Sequence, residues 1–295
     1  HRLYRLRLGG VPELVREEAD ERFSVNVSRT LSGEWMVLTA GSHTTSEVRV
    51  LPAGDPKGAF HLVAPRLQDR EYGLDHRGDR FWILVNDKGR NFRVVTAPVA
   101  TPGPEHWTEV VPHREEVMVS GLMCFRDHVV VLEREGGLPQ ISVLDPGHPE
   151  GTRRRVVFPD ATYAAYPLVN EEFETDAFRY GYESFLVPRS VSSLDLGTLA
   201  STLLKRQPVP GGWDPSRYEA ERLEAKASDG TRIPISLVRL KTLPRDGSAA
   251  CLLEGYGAYG ISNDAYFSTS LFSLLDRGVV YAVAHVRGGG EFGKR

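Results

Sequence analysis

Trp35-Met-Val-Leu-Thr39 and Ser46-Glu-Val-Arg-Val-Leu51 are short apolar, β-branched runs separated by a polar turn, and the pair recurs along the chain. It returns as Phe81-Trp-Ile-Leu-Val85 with Asn91-Phe-Arg-Val-Val-Thr96, and again as His128-Val-Val-Val-Leu132 with Leu138-Pro-Gln-Ile-Ser-Val-Leu144. The central residues of the second members, Val48, Val94 and Ile141, lie 46 and 47 positions apart. Each pair is followed by a Pro/Gly turn and a further short strand: Phe60-His-Leu-Val63, Thr108-Glu-Val-Val111 and Arg155-Val-Val-Phe158. Four-strand units recurring every 40–50 residues are the signature of a β-propeller. A β-sandwich with irregular loops is the competing arrangement.

Working outward, Ser184-Phe-Leu-Val187, Val191-Ser-Ser-Leu-Asp195 and Leu203-Leu-Lys-Arg206 read as a fourth unit, and Tyr4 to Arg16 as the tail of an earlier one. The expected fold is therefore mainly β: a partial propeller of about four and a half blades over residues 1–210. Trp35, Phe81, Trp82, Val130 and Phe185 are expected to be buried within or between blades. A blade cannot bury both faces alone, so an open arc should expose an apolar face at its amino-terminal end. The Pro/Gly-rich Gln207-Pro-Val-Pro-Gly-Gly-Trp-Asp-Pro215 reads as a domain boundary. Beyond it, Ala220 to Ala225 and Ile233 to Leu240 flank Ser228-Asp-Gly230, a hairpin signal.

At 295 residues the chain has room for about two domains. Its 41% hydrophobic and 25% charged content is that of a globular protein, and a net charge of −3 gives no electrostatic case for nucleic acid or an anionic membrane. Thirty arginines against six lysines are interspersed with acids, and Arg153-Arg-Arg155 reads as a solvated strand entry. No apolar run reaches the ~18 residues of a membrane helix. Cys124 and Cys251 sit in apolar strand-like runs and read as buried free thiols, which suits a reducing, cytoplasmic setting. His43, His61, His76, His106, His113, His128 and His148 have no metal-ligand spacing, so neither a metal nor a cofactor is expected.

The last fifty residues carry the chemistry. Ala249-Ala-Cys-Leu-Leu-Glu254 is an apolar strand, Gly255-Tyr-Gly-Ala-Tyr-Gly260 a glycine-rich loop, and Phe267 to Arg277 a helix closed by Gly278. A second strand, Val279-Val-Tyr-Ala-Val-Ala-His285, leads into Val286-Arg-Gly-Gly-Gly-Glu291. Gly255 to Gly260 satisfies the dinucleotide pattern G-x-G-x-x-G, with Asp276 as its acid. That acid belongs at the end of the next strand, however, and the Ser262-Asn-Asp264 loop delays the helix. Gly288 to Arg295 approaches a phosphate-binding loop but offers Arg295 where a Ser or Thr must hold Mg²⁺. Acyl transfer is the third reading, with the loop supplying an oxyanion donor.

In that order the segments resemble the prolyl oligopeptidase family of serine peptidases, and Leu274-Leu-Asp-Arg-Gly278 with His285-Val-Arg-Gly-Gly-Gly-Glu291 resembles its oligopeptidase B branch in particular. The resemblance implies a seven-bladed propeller ahead of an α/β-hydrolase domain, of which residues 211–295 would be the amino-terminal part. It implies that the Tyr256 hydroxyl donates to the oxyanion. It also implies that Asp264, the single match to an acid-x-acid pattern, binds basic peptide side chains, whereas the residue types alone favour a helix cap ahead of Phe267. Glu254 stands where many relatives have a second tyrosine. Arg287 and Glu291 read as a structural ion pair.

No Ser lies in Gly-x-Ser-x-Gly, the strand-to-helix elbow that exposes a hydrolase nucleophile. The chain is therefore expected to be an internal fragment of a serine oligopeptidase that cleaves short peptides after Arg or Lys. Two to three blades would lie upstream and the Ser, Asp and His beyond Arg295. The remainder of the polypeptide would be the partner that completes both domains, and the isolated chain should be inactive. The alternative is a non-catalytic β-propeller interaction module.

Overall fold

The computed structural model describes residues 1–147 and 153–293. His148, Lys294 and Arg295 lie outside them. Strands β1 (Arg2–Arg5) and β2 (Glu13–Glu17) form a two-stranded sheet, and four antiparallel four-stranded blades follow in chain order. Blade 1 comprises β3 (Ser24–Arg29), β4 (Trp35–Gly41), β5 (Ser46–Pro52) and β6 (His61–Leu62). Blade 2 comprises β7 (Tyr72–Arg77), β8 (Arg80–Val85), β9 (Arg93–Pro98) and β10 (Thr108–Val111). Blade 3 is built from β11 (Val117–Cys124), β12 (Val129–Glu135), β13 (Leu138–Leu144) and β14 (Arg154–Arg155), and blade 4 from β15 (Ala164–Pro167), β16 (Ala177–Glu183), β17 (Ser190–Asp195) and β18 (Ser201–Arg206).

The middle strands of the blades are apolar on successive positions because both of their faces are covered. Side chains alternate across a strand, so Phe81 and Ile83 pack toward blade 1 while Trp82 between them packs toward blade 3. In blade 3, Val129 and Val131 face blade 2 and Val130 faces blade 4. One buried carboxylate joins three blades: Asp75 accepts from the backbone N–H groups of Leu31 (3.0 Å), His76 (2.9 Å) and Cys124 (2.8 Å). At the amino-terminal end, Tyr4, Leu6, Leu8, Val11 and Leu14 of β1, β2 and their connection are exposed.

The fourth blade departs from the expected register. Its strand runs over Ala177–Glu183, and Ser184 to Val187 form a turn closed by backbone hydrogen bonds between those two residues. Phe185 is fully buried, but it leaves the propeller and enters the core of the following sheet. Trp35 is only half-buried, against the blade 1–blade 2 core.

That following sheet is mixed. β19 (Tyr218–Lys226) and β20 (Arg232–Leu240) form the expected hairpin, β21 (Cys251–Gly255) and β22 (Val280–Ala284) are parallel, and the order is β19-β20-β22-β21. Parallel neighbours need a crossover, and here it carries helix α1 (Thr269–Leu275). The helix begins two residues later than the sequence suggests, because Phe267 is held by its backbone N–H to the Glu183 carboxylate at 3.0 Å. Leu271, Phe272 and Leu275 pack with Tyr218, Val238, Val283 and Phe185. β21 lies at the edge of this sheet with every residue exposed, so Cys251 is an exposed free thiol, contrary to expectation, while Cys124 is buried. Among the described residues no helix is long and apolar enough to cross a membrane.

Candidate active-site loop and its junction with the propeller

Tyr256 follows directly on the end of β21, and the residue is 42% exposed. Among the described residues its hydroxyl has no hydrogen-bond partner. The backbone beneath it is packed against the segment that follows β22. A Cβ on Gly257 would lie 2.5 Å from the Arg287 carbonyl oxygen, and one on Gly288, whose φ is +89°, would lie 2.1 Å from the Gly257 carbonyl oxygen. Glycine is needed at both positions, since no side-chain rearrangement relieves a clash with backbone. The Gly260 N–H donates to the Gly288 carbonyl at 2.9 Å and locks the two loops together. This contact gives the glycine run after His285 a physical role that sequence reasoning did not supply.

The charged residues around the loop are assigned differently from expectation. Among the described residues Arg287 pairs with Asp229 in the β19–β20 hairpin. The Asp229 carboxyl is held down to about 2, first by the Thr231 backbone N–H, then by its hydroxyl and by Arg287. Glu291 is buried, and its carbonyl accepts from the Gly137 N–H of blade 3 at 2.6 Å. Glu254 accepts from the Tyr281 hydroxyl at 2.8 Å. Burial, followed by that carboxylate, pushes the Tyr281 hydroxyl well above its ordinary value.

Asp264 does not cap α1, which begins at Thr269 after Ser268. Its two oxygens accept from Nη1 and Nη2 of Arg134, on β12 of blade 3, at 2.8 and 2.9 Å. The Arg134 side chain is largely buried; desolvation is the largest single influence and opposes its charge, but the hydrogen bonds and Coulomb attraction of Asp264 together leave its pKa raised. The eight residues between Gly260 and α1 also separate the glycine pattern from any helix N-terminus that could receive a pyrophosphate.

A second polar link, missed from sequence, runs through His285. The imidazole is buried, with Nε2 2.7 Å from the Ser236 hydroxyl and Nδ1 3.2 Å from the Ser262 hydroxyl. Ser236 in turn accepts from Thr162 of the propeller. Burial, reinforced by the Arg222 and Arg134 guanidinium groups, lowers the His285 pKa to about 4, so the ring is neutral at pH 7. The signal in the sequence was a histidine closing an apolar strand; its serine partners are remote in the chain.

Blades in series, opening onto a mixed sheet whose glycine-rich loops meet the third blade, define a β-propeller protein with a second unit docked on it. Residues 1–207 match the family model described as prolyl oligopeptidase, N-terminal beta-propeller domain. The chain belongs to the prolyl oligopeptidase family. It is 41% identical to dipeptidyl aminopeptidase BI of Pseudoxanthomonas mexicana over 283 residues, covering 95% of this chain and 38% of that protein. It is 31% identical to protease 2 of Moraxella lacunata over 295 residues, covering 99% of this chain and 42% of that one. Oligopeptidase B from Leishmania major superposes with a TM-score of 0.89 at 29% identity, over 99% of this chain and 42% of that structure. Oligopeptidase B from Trypanosoma brucei, solved with covalently bound antipain, gives 0.90 at 28%, over 99% and 43%. The chain thus spans about two fifths of the length of these relatives.

Proposed function

We propose that this chain is part of a serine-type oligopeptidase that hydrolyses short peptides after Arg or Lys through an acyl-enzyme. On this reading residues 1–210 are a segment of a seven-bladed propeller and residues 211–295 open an α/β-hydrolase domain. The nucleophilic Ser and its His and Asp are supplied by the rest of the polypeptide, which makes that remainder the required partner. The protein works without a cofactor and resides in the cytoplasm, where Cys124 and Cys251 stay reduced. The observation that carries the proposal is the placement of Tyr256, exposed and without a hydrogen-bond partner among the described residues, at the carboxyl end of a parallel strand in a member of a peptidase family. Tyr256 is the oxyanion donor: its hydroxyl strengthens its hydrogen bond as charge develops on the substrate carbonyl oxygen in the tetrahedral intermediate.

Tyr256→Phe in the intact enzyme isolates that hydroxyl, because the ring and the glycine packing beneath it are retained. Removing one oxyanion donor typically costs about 10²–10³ in kcat, and KM and thermal stability should change little. Wild-type kcat with chemistry rate-limiting would assign Tyr256 to packing alone. The 295-residue chain by itself should turn over no Arg- or Lys-containing chromogenic peptide.

A further inference from the structure

We infer that Arg134, a propeller residue, is a positioning residue for the Tyr256 loop, acting through its bidentate ion pair with Asp264. The inference rests on the oxyanion role proposed for Tyr256 and extends it to the propeller. Asp264 lies eight residues beyond Tyr256, and both of its oxygens are occupied by one guanidinium at 2.8 and 2.9 Å. Its side chain is only 9% exposed. A planar fork on a carboxylate fixes orientation as well as distance, which a single point charge does not.

Arg134 is itself held in place. Its Nη1 also donates to the Gly137 carbonyl at 2.9 Å, across the two-residue turn Gly136-Gly137 that joins β12 to β13. Both glycines have positive φ, +56° and +79°, the conformation that such a tight hairpin requires. The same turn touches the second unit twice more: the Gly136 carbonyl accepts from Arg222 on β19, and the Gly137 N–H donates to the Glu291 carbonyl. One end of the Tyr256 loop is therefore set by Gly257 against Arg287, within the mixed sheet. The other end is set by blade 3. A propeller displaced from the sheet would take Arg134 with it and release the loop, so the donor is in register only when the two units are docked. The subsite role for Asp264 would require its carboxylate to exchange the Arg134 guanidinium for a substrate cation.

The test has two arms. In the intact enzyme, Arg134→Met, Asp264→Asn and the double variant are assayed on peptides with either a basic or a neutral side chain preceding the scissile residue. A misplaced catalytic group can cost about 10²-fold. Each single variant should lower kcat by about that factor on both substrates with KM little changed, the double should be no worse than either single, and Arg134→Lys should recover part of the loss. Unchanged kcat in both singles overturns the inference. So does a defect of Asp264→Asn confined to basic substrates with Arg134→Met unaffected, since that is a subsite. The second arm needs no activity: in the 295-residue chain, amide hydrogen exchange over residues 256–264 should quicken at least tenfold in Arg134→Met, and not in Arg232→Met, which breaks the exposed pair with Glu224. Unchanged exchange refutes the clamp. An intact protein without peptidase activity would instead refute the proposed function, leaving the exchange arm to decide the clamp.

Discussion

Phe185 belongs to the propeller by sequence and to the mixed sheet by packing, and Phe185→Ala should show it. The side chain is fully buried among Tyr218, Val238, Leu271, Leu275 and Val283, with its ring edge-on to Tyr281 at a centroid distance of 5.5 Å. A Phe side chain buries about 150 Å² or more, which at about 25 cal/mol per Å² is worth about 4 kcal/mol. Measured Phe→Ala changes in cores cost about 3–5 kcal/mol, the cavity included, of which the edge-to-face pair is about 1 kcal/mol. At roughly 2 °C per kcal/mol for a chain of this length, Tm should fall by about 6–10 °C. Urea unfolding gives the free-energy change and hydrogen exchange locates it. The loss of protection should appear in β19, β20 and β22 although the substitution lies in the turn after β16. A change below about 1 kcal/mol, or a loss confined to blade 4, would refute the claim that this ring joins the two units.

Three further outcomes follow from the same geometry. His285 is neutral in the fold with its pKa lowered to about 4, so as pH falls from about 6.5 the unfolded chain takes up a proton that the folded chain refuses. Stability should decline by about 3 kcal/mol between pH 6.5 and 4 and level off below that; His285→Gln should remove this slope in pH-dependent urea unfolding, and an identical slope would exclude His285 as its source. Gly288→Ala combines positive φ with a backbone clash and should cost more than Gly136→Ala, which has positive φ but open space around its Cβ position; strain alone is about 1–3 kcal/mol, and equal losses in thermal unfolding would refute the loop contact. A thiol reagent should modify one cysteine of the folded chain quickly, Cys251 by peptide mapping, and reach Cys124 only on unfolding, because burial removes Cys124 from solvent and pushes its thiol well above the ordinary range.

The junction between the units is polar where a fold core is apolar. Arg134 with Asp264, Thr162 with Ser236 and His285, and Glu183 with the Phe267 N–H connect blades 3 and 4 to the mixed sheet, while Phe185 supplies its apolar anchor. Removing one partner of a buried charge pair strands the other, so this seam tolerates joint separation better than single loss.

The repeats were legible because a blade strand buried on both faces must be apolar at consecutive positions, and Phe81-Trp82-Ile83 and Val129-Val130-Val131 declare that pattern without reference to anything distant. The hairpin around Asp229-Gly230 and the two strands β21 and β22 were legible for the same local reason, turn chemistry and strand period being properties of adjacent residues, whereas the parallel pairing of β21 with β22 was not. Tyr256 was singled out by the resemblance of its glycine-rich loop to the family, and the flanking glycines only permit the turn. Nothing local told Phe185 which core to enter, or made Cys251 an edge-strand thiol. Nor could local sequence assign Asp264 to Arg134, 130 positions away, or His285 to serines on two other segments. Those pairings depend on how the third blade meets the second sheet. Sequence by itself determined the elements, since propensity and period act over a few residues; only the tertiary structure decided which charges and rings face one another across the seam, since burial and Coulomb interactions act through space.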